Sequence, residues 1–168
     1  QVLPVNQKAP VRDEAWMDAR MGSQAMLHSS QQLDMAGEIQ DLPGRLLALE
    51  FAQSGKVLLV KTTTVLASFN PETFKLIQKS EFPVAKGGGS MHGLAVAPDG
   101  SHVLVSGGRT HLYRATVAPD GTFTWGTSID VTRGAKNVNP LGVAFTSDAS
   151  KAVVALSVSN ALAVVDLK

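Results

Sequence analysis

Histidine is the side chain best suited to acid–base or metal chemistry near neutral pH, and this chain has four of them. They are His28, His92, His102 and His111. A catalytic zinc site needs about three protein ligands, but these histidines fall in separate segments and none has the HExxH spacing. The sequence therefore predicts no metal site, and it indicates no cofactor.

His92 has the most suggestive position of the four. It directly precedes the segment Gly93–Val105, which has counterparts elsewhere in the chain, and Arg45 and Asn139 stand just before those counterparts. If the segments surround a channel, the three residues lie at its mouth, where we expect a weak ligand site. His92 would be a ligand or a general base there. The alternative is a loop histidine with a structural role.

Other residue patterns that carry chemistry are incomplete. The run Lys86–His92 is rich in glycine but lacks the Gly-Lys-Ser/Thr ending and the helix of a phosphate-binding loop, so we interpret it as a flexible loop. The Gly-x-Ser-x-Gly motif of a nucleophilic serine is absent. Turn positions explain the carboxylates at Asp99, Asp120, Asp148 and Asp166. The sequence thus predicts no catalytic residue and favours a non-enzymatic function.

The elements that would position these residues repeat along the chain. Three segments share one template of an apolar run, a tight turn and a second apolar run: Ala48–Val60, Gly93–Val105 and Gly142–Val154. Ser54, Asp99 and Asp148 occupy the same place in the turn, so the units are spaced by 45 and 49 residues. Blades of a β-propeller have about this length. A β-sandwich also uses short strands, but it need not repeat its sequence.

Each unit continues with further candidate strands. A third strand is predicted in every unit, at 65–69, 111–115 and 161–166, and a fourth in two units, at 74–77 and 123–125. The predicted fold is therefore all-β, with three four-stranded propeller blades. We expect Leu49, Phe51, Leu94, Val96, Val143 and Phe145 to be buried in the innermost strands.

The first part of the chain has a different pattern. We assign residues 1–42 to an N-terminal region and residues 43–168 to the blades. Residues 1–12 resemble an extended arm, Asp13 is placed to cap a short helix reaching about Leu27, and the alternation over Gln32–Ile39 predicts a strand that closes a blade.

Composition restricts the class of protein. The formal net charge is +1 with scattered basic residues, which argues against a nucleic-acid surface. No apolar run approaches the roughly 20 residues that span a bilayer. The chain has no cysteine and starts at Gln1 without a methionine. These features suit a processed protein of the periplasm or of the secreted class.

The segments Gly93–Gly100 and Ala161–Leu167 resemble the blade signature of the YVTN-type, lactonase-like β-propellers. The stretch 111–167 is most similar to propellers found ahead of an alkaline-phosphatase-like domain in secreted bacterial proteins. This resemblance implies a ring of about seven blades, of which three are visible here.

An arc of three blades leaves strand edges and blade faces uncovered. We therefore expect the chain to be an interaction or scaffold segment of an extracytoplasmic propeller. Its partners would be other protein chains, either the rest of the ring or a second copy. The alternatives are a ligand-binding propeller, or a fragment of a lactonase- or phosphoesterase-type enzyme whose active centre is completed elsewhere.

Overall fold

The computed structural model describes residues 24–26, 32–34, 40–83 and 88–168. The chain divides into two compact units, Gln1–Ile39 and Gln40–Lys168. In the first unit, β1 (Gln24–Met26) pairs antiparallel with β2 (Gln32–Asp34). The strand predicted from Gln32 is thus present over its first three residues, and its remainder lies outside the described residues.

The helix predicted to reach Leu27 is wrong at its end. Residues 24–26 form β1 instead. The helical pattern is weak because Gly22 interrupts it, and pairing with β2 supplies the backbone hydrogen bonds of these residues. The earlier part of that helix and the arm over residues 1–12 lie outside the described residues.

The second unit consists of three consecutive antiparallel sheets, which we call blades 1 to 3. Blade 1 has the strand order β3 (Leu46–Ala52), β4 (Val57–Thr62), β5 (Val65–Phe69) and β6 (Leu76–Glu81). Blade 2 has the order β7 (Gly89–Val96), β8 (His102–Gly107), β9 (His111–Val117) and β10 (Phe123–Trp125), and β11 (Ile129–Asp130) also pairs with β9. Blade 3 has β12 (Pro140–Phe145), β13 (Lys151–Leu156) and β14 (Ala161–Asp166).

The first strands of the blades lie side by side. β7 packs against β3 on one side and against β12 on the other, so these three strands form the inner edge of an arc. Such an arrangement of meandering sheets is the architecture of β-propeller blades. The predicted all-β fold with three propeller blades is confirmed, and blade 3 has three strands within the described part of the chain.

The turn between the first two strands of each blade has a left-handed residue at the same repeat position. Gly55, Gly100 and Ala149 occupy the same repeat position and have φ values of 87°, 76° and 55°. This left-handed region is easiest for glycine, which explains two of the three residue types. Asp99 and Asp148 also accept hydrogen bonds from the backbone N–H two residues later, at 3.0 and 3.1 Å. The predicted structural role of these carboxylates is therefore confirmed.

Two of the three hydrophobic clusters in the described part of the chain lie between blades, and the third, formed by Val60, Ala67 and Phe69, lies on the side of blade 1 away from blade 2. We define the forward face of a blade as the side toward the next blade, and the backward face as the side toward the preceding one. Between blades 1 and 2, forward-face residues Val57, Leu59 and Leu66 share one buried cluster with Val103 and Val105 of the backward face. A second cluster joins the forward face of blade 2 to blade 3 and contains Leu112, Val131, Val138, Val154 and Leu156.

The outer part of the interface between blades 1 and 2 is aromatic. The rings of Phe82 and Tyr113 stack with centroids 5.2 Å apart, and Trp125 meets both edge-on. The indole N–H of Trp125 donates to Ser80 Oγ at 3.0 Å. The side-chain amide of Gln78 also donates to the Phe123 carbonyl at 2.9 Å and accepts from the Phe123 N–H at 2.8 Å. Blades 1 and 2 are therefore joined by both aromatic packing and directed hydrogen bonds.

The expected burial of the innermost strands is only partly correct. Leu94 is buried, while Val96, Val143 and Phe145 are half-buried. Leu49 and Phe51 are exposed, so their predicted burial is wrong. Their repeat counterparts pack against a preceding blade, and the described residues contain no blade on the backward face of blade 1. The repeat therefore identified the apolar face, but not whether a neighbour covers it.

Candidate functional site

The structure places the three residues of the predicted channel mouth at the starting ends of the innermost strands. Arg45 directly precedes β3, Asn139 directly precedes β12, and His92 lies in the first half of β7. Backbone hydrogen bonds link this end of the arc from blade to blade. Gly89 N–H donates to the Thr63 carbonyl, and Asn139 N–H donates to the Arg109 carbonyl, both at 2.9 Å.

The side chains at this end do not form one hydrogen-bonded cluster within the described residues. The Arg45 guanidinium lies 3.9 Å from Sδ of Met91, the residue that precedes His92. The Asn139 side-chain amide donates to Ser157 Oγ at 2.9 Å. His92 and Arg45 are exposed and Asn139 is half-buried. Their role in binding a ligand stays a prediction.

A buried lysine lies directly below this end of the arc. Lys61 on β4 has no exposed surface. Its ammonium donates to the backbone carbonyl of Ser106 at 3.0 Å and to that of Gly93 at 3.3 Å. It also contacts the His92 carbonyl and the hydroxyls of Ser106 and Ser90. An ammonium from blade 1 is thus surrounded by oxygen atoms of blade 2.

The pairing of β7 with β8 explains this oxygen cluster. The register breaks between Gly89 and Leu94, so the intervening backbone does not form a regular ladder. Buried carbonyl groups that lack ladder partners need other donors. Lys61 supplies those donors to His92 and Gly93 from the neighbouring blade. The lysine therefore stabilises an irregular part of β7 on which His92 is presented.

Close packing at Gly93 supports the same arrangement. Its φ of 77° is left-handed, and a Cβ at this position would collide with the Leu141 carbonyl and with Ser106 Oγ. A side chain there would force apart blades 2 and 3 as well as the oxygen cluster. The irregular segment of β7 thus requires glycine for both its conformation and its contacts.

Burial lowers the pKa of Lys61 from 10.5 to about 7, because the ammonium is removed from water. A neutral lysine amine beside serine hydroxyls is a recognised nucleophile or base. However, Lys61, Ser90 and Ser106 are all buried, so a substrate has no contact with them. The geometry supports a structural role in joining the blades.

Sequence reasoning did not identify this lysine. The available signal was a charge within the apolar run Val57–Thr62, at a position where the other two blades carry Ser106 and Ala155. A solvent-facing lysine gives the same signal in an amphipathic strand. Only the tertiary contacts distinguish the two.

The remaining histidines stand apart from this site. His102 Nδ1 lies 2.6 Å from Ser101 Oγ, and His111 Nδ1 lies 2.5 Å from Thr110 Oγ1. His102 is half-buried, because it begins β8 on the forward face toward blade 3. His28 lies outside the described residues. In the described ranges, no group of three or more His, Cys, Asp or Glu side chains is placed to hold a metal ion.

The glycine-rich run continues as a strand where it is described. Gly88 has a φ of 54° and Gly89 begins β7, whereas a phosphate-binding loop would lead into a helix. Lys86 and Gly87 lie outside the described residues. This part of the chain therefore leads into blade 2 and does not have the geometry of a nucleotide site.

A shallow cleft lies between blades 2 and 3 at their outer rim. Its volume is about 400 Å³, and its lining includes His102, Arg114, Thr127 and Asp166. The Arg114 guanidinium donates to the Leu167 carbonyl at 3.1 Å, which ties β9 to the end of blade 3. Arg114 in this cleft thus serves contact between blades.

Large apolar side chains are exposed at both ends of the arc. On the backward face of blade 1, Leu49 and Phe51 of β3 are 62% and 58% exposed, whereas Val60, Ala67 and Phe69 of β4 and β5 on the same face are buried. On the forward face of blade 3, Leu162 is 73% exposed and Val164 is 59% exposed. Contiguous apolar surface of this kind is typical of interfaces. The forward face of blade 3 and the exposed strand β3 of blade 1 are the strongest candidates for a functional surface.

No protein-family model matches the chain, and no curated protein matches it. Solved structures do. Hydrazine synthase of Kuenenia stuttgartiensis matches with a TM-score of 0.59 at 19% identity, over 78% of this chain and 36% of that one. The Cps50 (Swd1) β-propeller domain of Myceliophteria thermophila matches with a TM-score of 0.59 at 13% identity, over 82% of this chain and 43% of that domain. The C-terminal WD40 domain of Sif2 matches with a TM-score of 0.60 at 11% identity, over 73% of this chain and 34% of that domain.

These matches establish the propeller fold and no activity, because each identity is below 20%. The chain spans less than half the length of each of these structures. Within the part of the chain that the structure describes, no helix is long and apolar enough to cross a membrane.

Proposed function

We propose that this chain is a non-catalytic interaction segment of a larger β-propeller, of the YVTN-type that its blade motifs resemble. It would assemble with further blades or with a companion domain through the two ends of the arc. The observation that supports this function is the exposure of Leu162, because the leucines at its repeat position, Leu66 and Leu112, are both fully buried.

The physical argument is that apolar side chains at both ends of the arc remain exposed to water. Burying apolar surface contributes roughly 25 cal/mol per Å². A protein surface placed on Leu49 and Phe51, or on Leu162 and Val164, therefore gains the energy that holds the inner interfaces together.

Side-chain footprinting with hydroxyl radicals tests this function. Protein isolated under native conditions from its source cells would be compared with the same chain purified alone and refolded. We expect Phe51 and Leu162 to be oxidised more slowly in the native assembly. Val158 is a matched control, because it is 58% exposed in a turn rather than on either face. Equal oxidation in the two samples would remove the support for an interaction segment.

We propose an extracytoplasmic location for the same protein. The resemblance to propellers of secreted bacterial proteins supports it, and the absence of cysteine from the sequence is compatible with an oxidising compartment. Fractionation of the source cells with an antibody against this chain tests the location. Recovery in the cytoplasmic fraction alone would contradict it.

A second candidate is ligand binding at the starting ends of the innermost strands. The observation that favours it is the placement of exposed Arg45 and His92 on adjacent blades, with Asn139 on the third. Two of these side chains can carry positive charge, so a small anion is the natural probe. Titration with inorganic phosphate should shift the His92 ring signals in NMR spectra and leave those of His111 unchanged. Equal shifts in both histidines would indicate only a general effect of salt.

A further inference from the structure

We infer that an acidic peptide segment of another protein binds the side of the arc at which β3, β7 and β12 begin, which we call the starting side. The opposite side, where the first strand of each blade turns into the second, is the turn side. This inference goes beyond assembly through the two ends of the arc. It rests on the second candidate function, because it adds cations to Arg45 and His92 and names a peptide as their anionic partner.

Exposed cations from two segments of the chain lie on the starting side. Because β9 is antiparallel to β8 and β8 to β7, the turn with Arg109 lies on the side at which β7 begins. The loop that leads to the start of β12 carries Arg133 and Lys136. Val131 N–H donates to the carbonyl of the residue after Arg109, and Val138 N–H donates to the Arg109 carbonyl, both at 3.0 Å. The loop is therefore fixed to this turn at both ends, and the three cations are exposed.

Arg45 and His92 extend this surface toward blade 1. The Arg45 carbonyl accepts a hydrogen bond from Thr63 N–H at 3.0 Å, and the Thr63 carbonyl accepts one from Gly89 N–H at 2.9 Å. These backbone bonds connect blade 1 to blade 2 on the starting side. A surface that is already ordered loses less freedom when a partner binds it.

The acidic turns of the blades lie on the turn side. Asp99 and Asp148 occupy turns between the first and second strands, and Asp120 occupies the turn between β9 and β10. Serine and threonine hydroxyls of the same turns donate to these carboxylates and lower their pKa, so all three are ionised at neutral pH. The fold therefore separates these aspartates from the cations of the starting side, although the net charge of the chain is only +1.

The carboxylates that the structure describes on the starting side are outnumbered by cations. Asp130 accepts a hydrogen bond from Thr132 N–H at 2.7 Å, and Glu81 ends the outermost strand of blade 1. Asp41 adjoins Leu42, which packs on the backward face of blade 1 instead. Two carboxylates thus stand against four arginine and lysine side chains, and an acidic segment has the complementary charge.

Apolar side chains between the cations favour a peptide over a nucleic acid. Leu46 is 57% exposed and Met91 is 54% exposed, and Met91 contacts the Arg45 guanidinium. Carboxylates and apolar side chains of one peptide can contact both kinds of group. Proteins that bind single-stranded nucleic acids use exposed aromatic rings for stacking. The rings described near the starting side, those of Phe82 and Tyr113, are both buried.

Fluorescence anisotropy with the full chain tests the inference. The probe is a labelled peptide of four Glu-Glu-Leu repeats, and its matched control has glutamine in place of every glutamate. We expect the glutamine peptide to bind at least about 10-fold more weakly than the acidic peptide, because it lacks the complementary charge. Added salt should weaken binding of the acidic peptide, since the charges are exposed.

Two double variants locate the binding surface. Arg109→Gln with Arg133→Gln removes two cations from the starting side, and Lys56→Gln with Lys151→Gln removes two exposed cations from the turn side. The first should raise the dissociation constant of the acidic peptide about 3- to 30-fold, since exposed ion pairs are individually weak. The second should leave it unchanged. Circular dichroism verifies folding, and Lys136→Gln replaces Arg133→Gln if the first variant does not fold.

Three outcomes would overturn the inference: equal binding of the two peptides, equal effects of the two double variants, or tighter binding of an oligothymidine of the same length. The last would assign the starting side to a nucleic acid. Shifts of the His92 signals by phosphate without peptide binding would leave the second candidate function standing and remove only the peptide. Protection of Phe51 and Leu162 in the native footprint concerns the ends of the arc, so the failures are distinguishable.

Discussion

Leu112 and Leu162 are the same residue type at the same place in neighbouring blades, and their surroundings differ completely. Leu112 is fully buried between blades 2 and 3, whereas Leu162 is 73% exposed on the forward face of blade 3. The local sequence around both is that of an apolar third strand. Burial at this repeat position is therefore decided by whether a further blade covers it, as in repeat proteins whose stability comes from contacts between neighbouring units.

The two inner interfaces also differ from each other. Between blades 1 and 2, apolar packing is supplemented by Lys61 and by the Gln78 amide. Between blades 2 and 3, the buried cluster is aliphatic. A hydrogen bond from the Arg114 side chain to the backbone carbonyl of Leu167 supplements it. We expect the first interface to depend on polar groups and on pH, and the second to depend mainly on packing.

The largest expected effect comes from truncating the buried leucine of this comparison. Leu112→Ala should lower the free energy of unfolding by about 2–5 kcal/mol, because it removes buried methyl groups and leaves a cavity. The matched variant Leu162→Ala should change the stability of the single chain far less. Urea denaturation of both variants measures the difference. Similar losses in the two would show that blade 3 is already covered in the isolated chain.

Raising the pH should stabilise the chain through Lys61. Burial lowers the pKa of Lys61 from its ordinary value of 10.5, which applies in the unfolded chain, to about 7 in the folded chain. Between these two values the unfolded chain binds a proton that the folded chain does not. The free energy of unfolding should therefore rise with pH in this window, by about 2 kcal/mol between pH 7.5 and 9. Below pH 7 both states are protonated, and this contribution stops changing.

Denaturation of the Lys61→Met variant over the same pH range is the control for that prediction. The variant cannot titrate at this position, so the rise with pH should disappear while contributions from other groups remain. A rise of equal size in the variant would assign the pH dependence to those other groups.

Removing the Gln78 amide should produce a smaller loss. Gln78→Ala leaves both the N–H and the carbonyl of Phe123 without their side-chain partner, and each hydrogen bond contributes about 0.5–1.5 kcal/mol. Lys79→Ala, at the exposed neighbour on the same strand, should have little effect. Thermal melts compare the two. An unchanged melting temperature for Gln78→Ala would mean that water replaces the amide fully.

The smallest expected effect is at Phe51, which is exposed in β3 of blade 1. Phe51→Ala should cost about 1 kcal/mol or less in the single chain, because the ring is more than half exposed and full burial of such a side chain contributes about 1.5–3 kcal/mol. Chemical denaturation should be done at a concentration at which sedimentation shows single chains. A loss of several kcal/mol would mean that the ring is covered within one chain.

Much of the fold could be predicted because the repeat imposes the same local rules three times. The predicted strands 65–69, 123–125 and 161–166 match β5, β10 and β14, and the turns around Asp99 and Asp148 have the expected hydrogen bonds. The predicted fourth strand at 74–77 begins later, as β6 at Leu76. Its boundary depends on pairing with β5, which breaks register between Ser68 and Phe69.

The candidate site was less predictable. Repeat alignment correctly placed Arg45, His92 and Asn139 near the starting ends of the innermost strands, because alignment preserves position along a blade. It did not reveal Lys61, whose partners Ser90 and Ser106 lie 29 and 45 residues away. Nothing in the strand around Lys61 indicates that a broken ladder in the next blade needs its donors.

The sequence by itself determined the strands, the turns and the pair of apolar faces on each blade, since these follow from side-chain alternation and turn residues within a single unit. Only the tertiary structure decided which of those faces are covered and which polar groups are buried. The physical reason is that burial and the pKa of Lys61 depend on a neighbouring blade, and contacts between blades are not encoded in the pattern of either blade alone. Leu49 and Leu94 share one pattern and differ in exposure for this reason.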